Sequence, residues 1–213
     1  MGFQECDIVG ITKPITKMSR IVLDPMDIKQ VLDEAVYLAT SGRPGPVLID
    51  LPIDIQRKEI NVSELKGFLP PTSWDNKKEL DEQIDNFILD YKKAKRPLLL
   101  VGGGCRDATS LSLMIEALQI PTVVTWNGAD IIPSDSLYYR GRIGTYGGDG
   151  RNFAIQNCDL LLAIGCRFSG RITGGNVPSF AREAIIYNVD IDEVNIDPDL
   201  QQVKCEVNIL CDA

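Results

Sequence analysis

The stretch Asp159-Leu160-Leu161-Leu162-Ala163-Ile164-Gly165-Cys166-Arg167-Phe168-Ser169-Gly170-Arg171-Ile172-Thr173-Gly174 decides the fold. Its first part is continuously apolar and too short for a buried helix. A strand with one wet face would alternate, so residues 159–164 read as a strand covered on both faces, the habit of a parallel sheet. It then runs without a break into glycines and arginines. Similar short apolar runs occur at Pro97–Val101, 122–125, 185–189 and Val207–Leu210. Helical spacing appears at 107–118 and around 179–183, and Asp75 caps an amphipathic helix with Leu80, Ile84, Phe87, Ile88 and Tyr91 on one face. Alternating strands and helices predict an α/β fold: a doubly wound parallel sheet, Rossmann-like, over residues 76–213.

Ahead of this region, Asp24-Pro25 reads as a helix start, with helical spacing at Ile28, Val31, Leu32, Ala35, Val36 and Ala39 and an end at Ser41-Gly42. Residues 46–51 form one more buried strand, and no second apolar run accompanies it. The expectation is a partial α/β segment over residues 1–54, whose strand either joins the later sheet or belongs to a sheet that is missing here. Residues 55–75, with Pro70-Pro71, read as a linker.

The composition excludes several chemistries. The chain has 213 residues and a net charge of −8, so a phosphate backbone is repelled and nucleic acid is not the expected partner. There is no histidine, which removes Ser-His-Asp triads, Cys-His dyads and histidine metal sites. The six cysteines form no CxxC pair and most sit in or beside apolar runs, as reduced core thiols do. No apolar run is long enough to span a bilayer, and the first residues lack a signal-peptide pattern. A cytoplasmic protein is expected.

In doubly wound sheets, ligands lie beyond the carboxyl ends of the strands. Pro97–Val101 runs into Gly102-Gly103-Gly104, where bare backbone can approach a phosphate or ribose, or make a tight turn. Arg167 and Arg171, four apart among glycines after residues 159–164, suit a pyrophosphate, or form a solvated loop. Asp190 and Asp192 end the next strand and suit ribose hydroxyls, or cap a helix. Asp212 closes the last strand in the same way. Gly148-Asp149-Gly150, with Asn176 beyond it, nearly spells a magnesium-binding GDG…N motif. Residues 140–147 do not read as the buried strand such a motif needs, so no metal site is assigned.

The runs Phe3-Gln4-Glu5, Thr12-Lys13-Pro14-Ile15-Thr16-Lys17 and Ser41-Gly42-Arg43-Pro44-Gly45-Pro46-Val47-Leu48-Ile49-Asp50-Leu51-Pro52 resemble the end of the pyrimidine-binding domain of acetolactate-synthase-type thiamine diphosphate enzymes. Residues 97–213, with Asn152-Phe153-Ala154-Ile155-Gln156-Asn157 and Gly165-Cys166-Arg167-Phe168, resemble their middle domain. The resemblance implies FAD contacts at Arg43, Gly102, Gly103, Gly104, Thr125, Gly144, Gly147, Gly165, Arg167, Arg171, Asp190, Asp192 and Asp212. It also implies a parent homodimer or homotetramer of branched-chain amino acid biosynthesis that decarboxylates a 2-keto acid with thiamine diphosphate and magnesium. The activating glutamate and the metal motif would then lie outside this chain, leaving it a fragment with no catalytic residue. Lys17-Met18, Ile53 and Ser169-Gly170 depart from the usual family residues. Ile53 and the run from Asn152 to Asn157 are closer to homologues of surface-polysaccharide pathways. A free-standing nucleotide-binding module and a ligand-free spacer are the alternatives.

Overall fold

The computed structural model describes residues 5–71, 77–106 and 108–213. The cap expected at Asp75, the first residue of the helical pattern expected over 107–118, and Phe3 and Gln4 lie outside these residues. The chain divides into two compact units, Met1–Asp75 and Asn76–Ala213. No helix among the described residues is long and apolar enough to cross a membrane.

In the first unit, helix α1 (Ile8–Thr12) leads to strand β1 (Met18–Ile21), helix α2 (Ile28–Thr40), strand β2 (Val47–Asp50) and the short helix α3 (Ile53–Gln56). The Asp24 carboxylate accepts a hydrogen bond from the Met26 N–H at 2.9 Å and Pro25 takes the first helical position, so the chain enters α2 through one 3-10 turn. Strands β1 and β2 pair in parallel, with Met18 opposite Val47 and Ile21 opposite Asp50. This corrects the expectation that β2 has no partner within residues 1–54. Met18-Ser19-Arg20-Ile21 carries two polar residues and lacks a continuous apolar run. Its pairing is set by Met18 and Val22 packing with Val31 and Ala35 of α2, a contact invisible to local periodicity.

The second unit holds helix α4 (Lys77–Lys93), strand β3 (Pro97–Val101), helix α5 (Leu111–Leu118), strands β4 (Thr122–Val124) and β5 (Tyr139–Arg142), helix α6 (Asp149–Asn157), strand β6 (Leu160–Ile164), helix α7 (Gly170–Thr173), strand β7 (Ile185–Asp190), helix α8 (Glu193–Ile196) and strand β8 (Val207–Leu210). The strand order is β5-β4-β3-β6-β7-β8, and every pair is parallel. The chain builds outward from β3 to β5, then crosses back to start again at β6. The switch point of this doubly wound sheet therefore lies between β3 and β6. One face of the sheet packs Leu99, Val101, Leu160 and Leu162 with Phe87 of α4 and Leu111 and Ile115 of α5. The other packs Leu98, Leu100, Leu161 and Ala163 with Ile155 of α6, Phe168 and Phe180. Leu99, Leu100, Val101 and Leu161 are wholly buried, as the unbroken apolar runs require.

Two expectations need correction. The segment 140–147 holds no buried strand, as expected, but the set of expected strands is incomplete: Tyr139–Arg142 forms the edge strand β5, in which only Gly141 is buried, so no apolar run marks it. Residues 179–183 are not a helix: a 3-10 turn at Val177–Ser179 is followed by Ala181 at φ 47°. The buried side chains Phe180, Ala181 and Ala184 set that path, and their spacing imitates a helical face.

Candidate nucleotide site at the strand ends

Because all six strands of the second unit run one way, their carboxyl ends share one edge. Twelve of the thirteen expected contact residues lie on that edge: Gly144 and Gly147 after β5, Thr125 after β4, Gly102, Gly103 and Gly104 after β3, Gly165, Arg167 and Arg171 after β6, Asp190 and Asp192 at and after β7, and Asp212 after β8. Strands stand about 4.8 Å apart, so the edge from β5 to β7 spans about 19 Å. A ligand touching both ends must be elongated. Arg43 belongs to the first unit, in the turn after α2, where its carbonyl accepts a hydrogen bond from Lys17 Nζ at 3.0 Å.

The glycines at the switch point have a structural task. A Cβ on Gly102 would stand 2.0 Å from the Gly165 carbonyl oxygen, and one on Gly104 would stand 2.8 Å from Gly165 Cα. Gly165 is at φ 58°, a conformation that favours glycine. The Gly102 N–H donates to the Ile164 carbonyl at 2.9 Å, and the Gly104 N–H to the Gly165 carbonyl at 3.1 Å. The turns after β3 and β6 thus pack backbone on backbone. The tight-turn reading accounts for Gly102, Gly104 and Gly165 without a ligand.

The other loops are joined in sequence along the edge. Gly103 packs against Asn127 in the turn after β4, and the Arg106 guanidinium ties that turn down through the Asn127 carbonyl at 3.1 Å. Thr145 donates both its N–H (2.9 Å) and its hydroxyl (3.3 Å) to the Arg171 carbonyl, holding the loop after β5 against α7. Asn152 fixes the same loop from the first turn of α6. Its Oδ1 accepts the Gly144 N–H at 2.9 Å and its Nδ2 donates to the Gly144 carbonyl at 3.0 Å. Gly148-Asp149-Gly150 forms the start of α6 rather than a strand end.

Two kinds of charge stand on this edge. Arg167 and Arg171 are exposed, and neither makes an ion pair or a side-chain hydrogen bond among the described residues. Asp190 is only 7% exposed, and its carboxylate accepts the Asp192 N–H at 2.9 Å. The Asp192 carboxylate in turn accepts the Val194 N–H at 3.1 Å, which is the helix-cap role weighed for it. Asp212 Oδ1 accepts the Ala213 N–H at 3.0 Å. Burial holds the thiols of Cys105 and Cys158 in the protonated form, pushed up to about 11 and about 12. Neither is placed to act as a nucleophile.

Sequence reasoning missed Asn152, Arg142, Trp126 and Tyr146. The Asn152 signal was available, since an asparagine early in a helix after a glycine-rich loop can bond that loop. The other three needed the neighbouring loops to be brought together. A cavity of about 300 Å³ opens beside Gly144 and Thr145, which line it together with Asn152, Gln156, Thr173 and Asn176.

The family described as "Thiamine pyrophosphate enzyme, central domain" matches residues 90–213. The chain is 36% identical over 216 residues to the acetolactate synthase large subunit of Parasynechococcus marenigrum, covering 99% of this chain and 34% of the relative. It is 38% identical over 201 residues to the chloroplastic acetolactate synthase of Arabidopsis thaliana, with 92% and 29% covered. It is 33% identical over 214 residues to the large subunit from Lactococcus lactis, with 99% and 36% covered. The chain spans about a third of the length of these relatives.

Proposed function

The chain belongs to the family of thiamine pyrophosphate enzyme central domains, and on that premise we propose that residues 76–213 are the nucleotide-binding middle domain of a thiamine diphosphate-dependent 2-keto acid decarboxylase or carboligase. Residues 1–54 are the closing part of its pyrimidine-binding domain, and 55–75 the linker. Similarity to acetolactate synthases over nearly the whole chain supports this assignment. The parent is a cytoplasmic homodimer or homotetramer acting in branched-chain amino acid or surface-polysaccharide synthesis. Thiamine diphosphate, held with magnesium by segments other than these, supplies the electron sink for decarboxylation. This chain contributes no catalytic residue and turns over no 2-keto acid alone.

The middle domain binds FAD or a related adenine dinucleotide across its strand ends. Arg167 and Arg171 carry this reading: two exposed guanidinium groups without ion-pair partners among the described residues, in a chain of net charge −8, standing where doubly wound sheets take their ligands. Their planar forks suit a pyrophosphate. The residues fit the group on three counts. The arginines meet the diphosphate, Asp190 or Asp192 accepts ribose hydroxyls, and Gly144 and Gly147 keep the β5 loop low beside them. Bound there, the dinucleotide needs no redox role.

Titrating the chain with FAD tests the reading. Each lost charge-assisted hydrogen bond costs about 1.5–3 kcal/mol, so Arg167→Ala and Arg171→Ala should each weaken binding about ten- to a hundred-fold. Binding that neither substitution changes would place the site elsewhere. The interlocked glycines favour a second reading, a spacer without ligand, because they explain Gly102, Gly104 and Gly165 by packing alone. Failure of FAD, ADP and NAD⁺ to bind at millimolar concentration would select it.

A further inference from the structure

Trp126 and Tyr146 follow the neighbouring strands β4 and β5, and both are turned outward, 61% and 78% exposed. Neither ring belongs to the hydrophobic clusters on either face of the sheet. They meet each other instead, with centroids 6.3 Å apart and planes at 63°. The Arg142 guanidinium carbon lies 4.8 Å from the centre of the Trp126 ring. Single exposed apolar side chains are ordinary on a protein surface. An exposed indole that meets both an exposed phenol and a guanidinium is a different matter. The cation covers one face of the indole and steadies it. At 61% exposure much of the indole surface still lies open to solvent.

The position of the cluster says what that face would meet. Tyr146 adjoins Thr145, whose N–H and hydroxyl both bond the Arg171 carbonyl, so the aromatic pair and the arginine loop share one ridge. Trp126 adjoins Asn127, which packs on Gly103 at the switch point. β4 stands two strands from β6, about 10 Å away. That is a distance a ring joined to its phosphate through a sugar or sugar alcohol can cover.

We propose that Trp126 and Tyr146, steadied by Arg142, form a stacking subsite for the flat heteroaromatic ring of a ligand whose diphosphate lies at Arg167 and Arg171. The proposal rests on the dinucleotide reading above and adds where one ring of that ligand sits and which side chains select it. Stacking tolerates any flat π system, so the subsite chooses for ring area and against ligands that present only a sugar or an anion.

The test uses the 213-residue chain and three probes: FAD, ADP and inorganic pyrophosphate. Affinities are measured by calorimetry for the wild type, Trp126→Ala, Trp126→Phe, Tyr146→Ala and Arg167→Ala. Trp126 is exposed, so its loss does not threaten folding. Removing a stacking partner should weaken a ring-bearing ligand about five- to a hundred-fold. Trp126→Ala is expected to do this for FAD and to leave pyrophosphate unchanged, with Trp126→Phe recovering most of the loss. Arg167→Ala should weaken all three probes. If ADP weakens together with FAD, the stacked ring is the adenine; if only FAD weakens, it is the flavin. If Trp126→Ala and Tyr146→Ala leave FAD and ADP affinity unchanged while Arg167→Ala weakens both, the stacking subsite is overturned and the anion site survives. If the wild type binds none of the probes at millimolar concentration, both fall.

Discussion

Replacing Gly102 by alanine separates the packing role of the switch-point glycines from a ligand-approach role. The added Cβ would lie 2.0 Å from the Gly165 oxygen, 2.5 Å from its carbonyl carbon and 2.6 Å from Cys166 Cα. All three are backbone atoms, so no side chain can swing aside. Real Cβ contacts are not found below 3.0 Å, so the turns must part by about 1 Å at the clashing atoms. That displacement stretches the 2.9 Å hydrogen bond from the Gly102 N–H to the Ile164 carbonyl beyond bonding range. Losing it costs about 1 kcal/mol. Forcing apart strands whose central residues, Leu99, Leu100 and Val101, are wholly buried costs about 1–3 kcal/mol more. A total near 3 kcal/mol lowers the melting temperature of a domain of this size by about 10 °C. The matched control is Gly150→Ala in α6, where an added Cβ meets nothing within 4 Å and stability should hold or rise by up to about 1 kcal/mol. Thermal unfolding followed by far-UV circular dichroism, with urea titration as a check, reads both. A Gly102→Ala protein melting within about 2 °C of wild type would refute the backbone-on-backbone account. If such a protein also lost nucleotide binding, the glycine would be serving the ligand.

Asn152→Ala removes two hydrogen bonds to the Gly144 backbone and should destabilise the chain by about 1–2 kcal/mol, raising amide exchange at residues 144–147 ahead of the sheet; protection unchanged in that loop would count against the tether. The buried Tyr187 O–H donates to Asp90 Oδ2 at 2.9 Å, and this bond, with Lys93, holds the Asp90 carboxyl below its usual range. Burial, and then Asp90, push Tyr187 up to about 12. Asp90 therefore contributes stability that is present above about pH 4 and lost as pH falls through its lowered value, whereas the Tyr187 contribution is complete below pH 10 and lost as pH rises towards 12. Tyr187→Phe should lower stability at neutral pH by about 1.5 kcal/mol and flatten both limbs in a denaturant series across pH. Unchanged limbs would show that the pair does not titrate as described. Among the six thiols Cys6 is exposed and Cys105, Cys158 and Cys166 are buried, so brief alkylation of the native chain should modify Cys6 first, and all six only after unfolding; early labelling of Cys166, read by peptide mass spectrometry, would mean that the β6 end opens readily.

The sheet strands buried on both faces were legible because burial on both sides demands unbroken apolar residues, and Pro97–Val101 and Leu160–Ile164 show that demand in any window that contains them. Helix α2 was legible through its helical spacing of apolar residues, with Val31 and Ala35 buried and Asp24-Pro25 marking its start. Their alternation was enough for the parallel doubly wound sheet, and with it the edge where ligand residues should gather. Elements with little burial were not legible. Strand β5 hides only Gly141, and β1 finds β2 through α2 rather than through its own sequence. α6, the helix that holds Gly144, carries one buried residue, Ile155, and so lacks an apolar stripe.

The sequence by itself determined which residues stand at the ends of the buried strands, since those strand boundaries are local and a parallel sheet sends every carboxyl end to one edge. Tertiary structure alone decided what those residues do there. Whether Gly102 faces a phosphate or the Gly165 backbone depends on the 2.0 Å approach of two turns 63 positions apart. Whether Trp126 is buried or held open depends on Arg142 and Tyr146 arriving from the next strand. Periodicity records how much of a residue is buried, because burial repeats with the geometry of its own element. It carries no record of which distant atom comes close, because that is set by how separate elements pack.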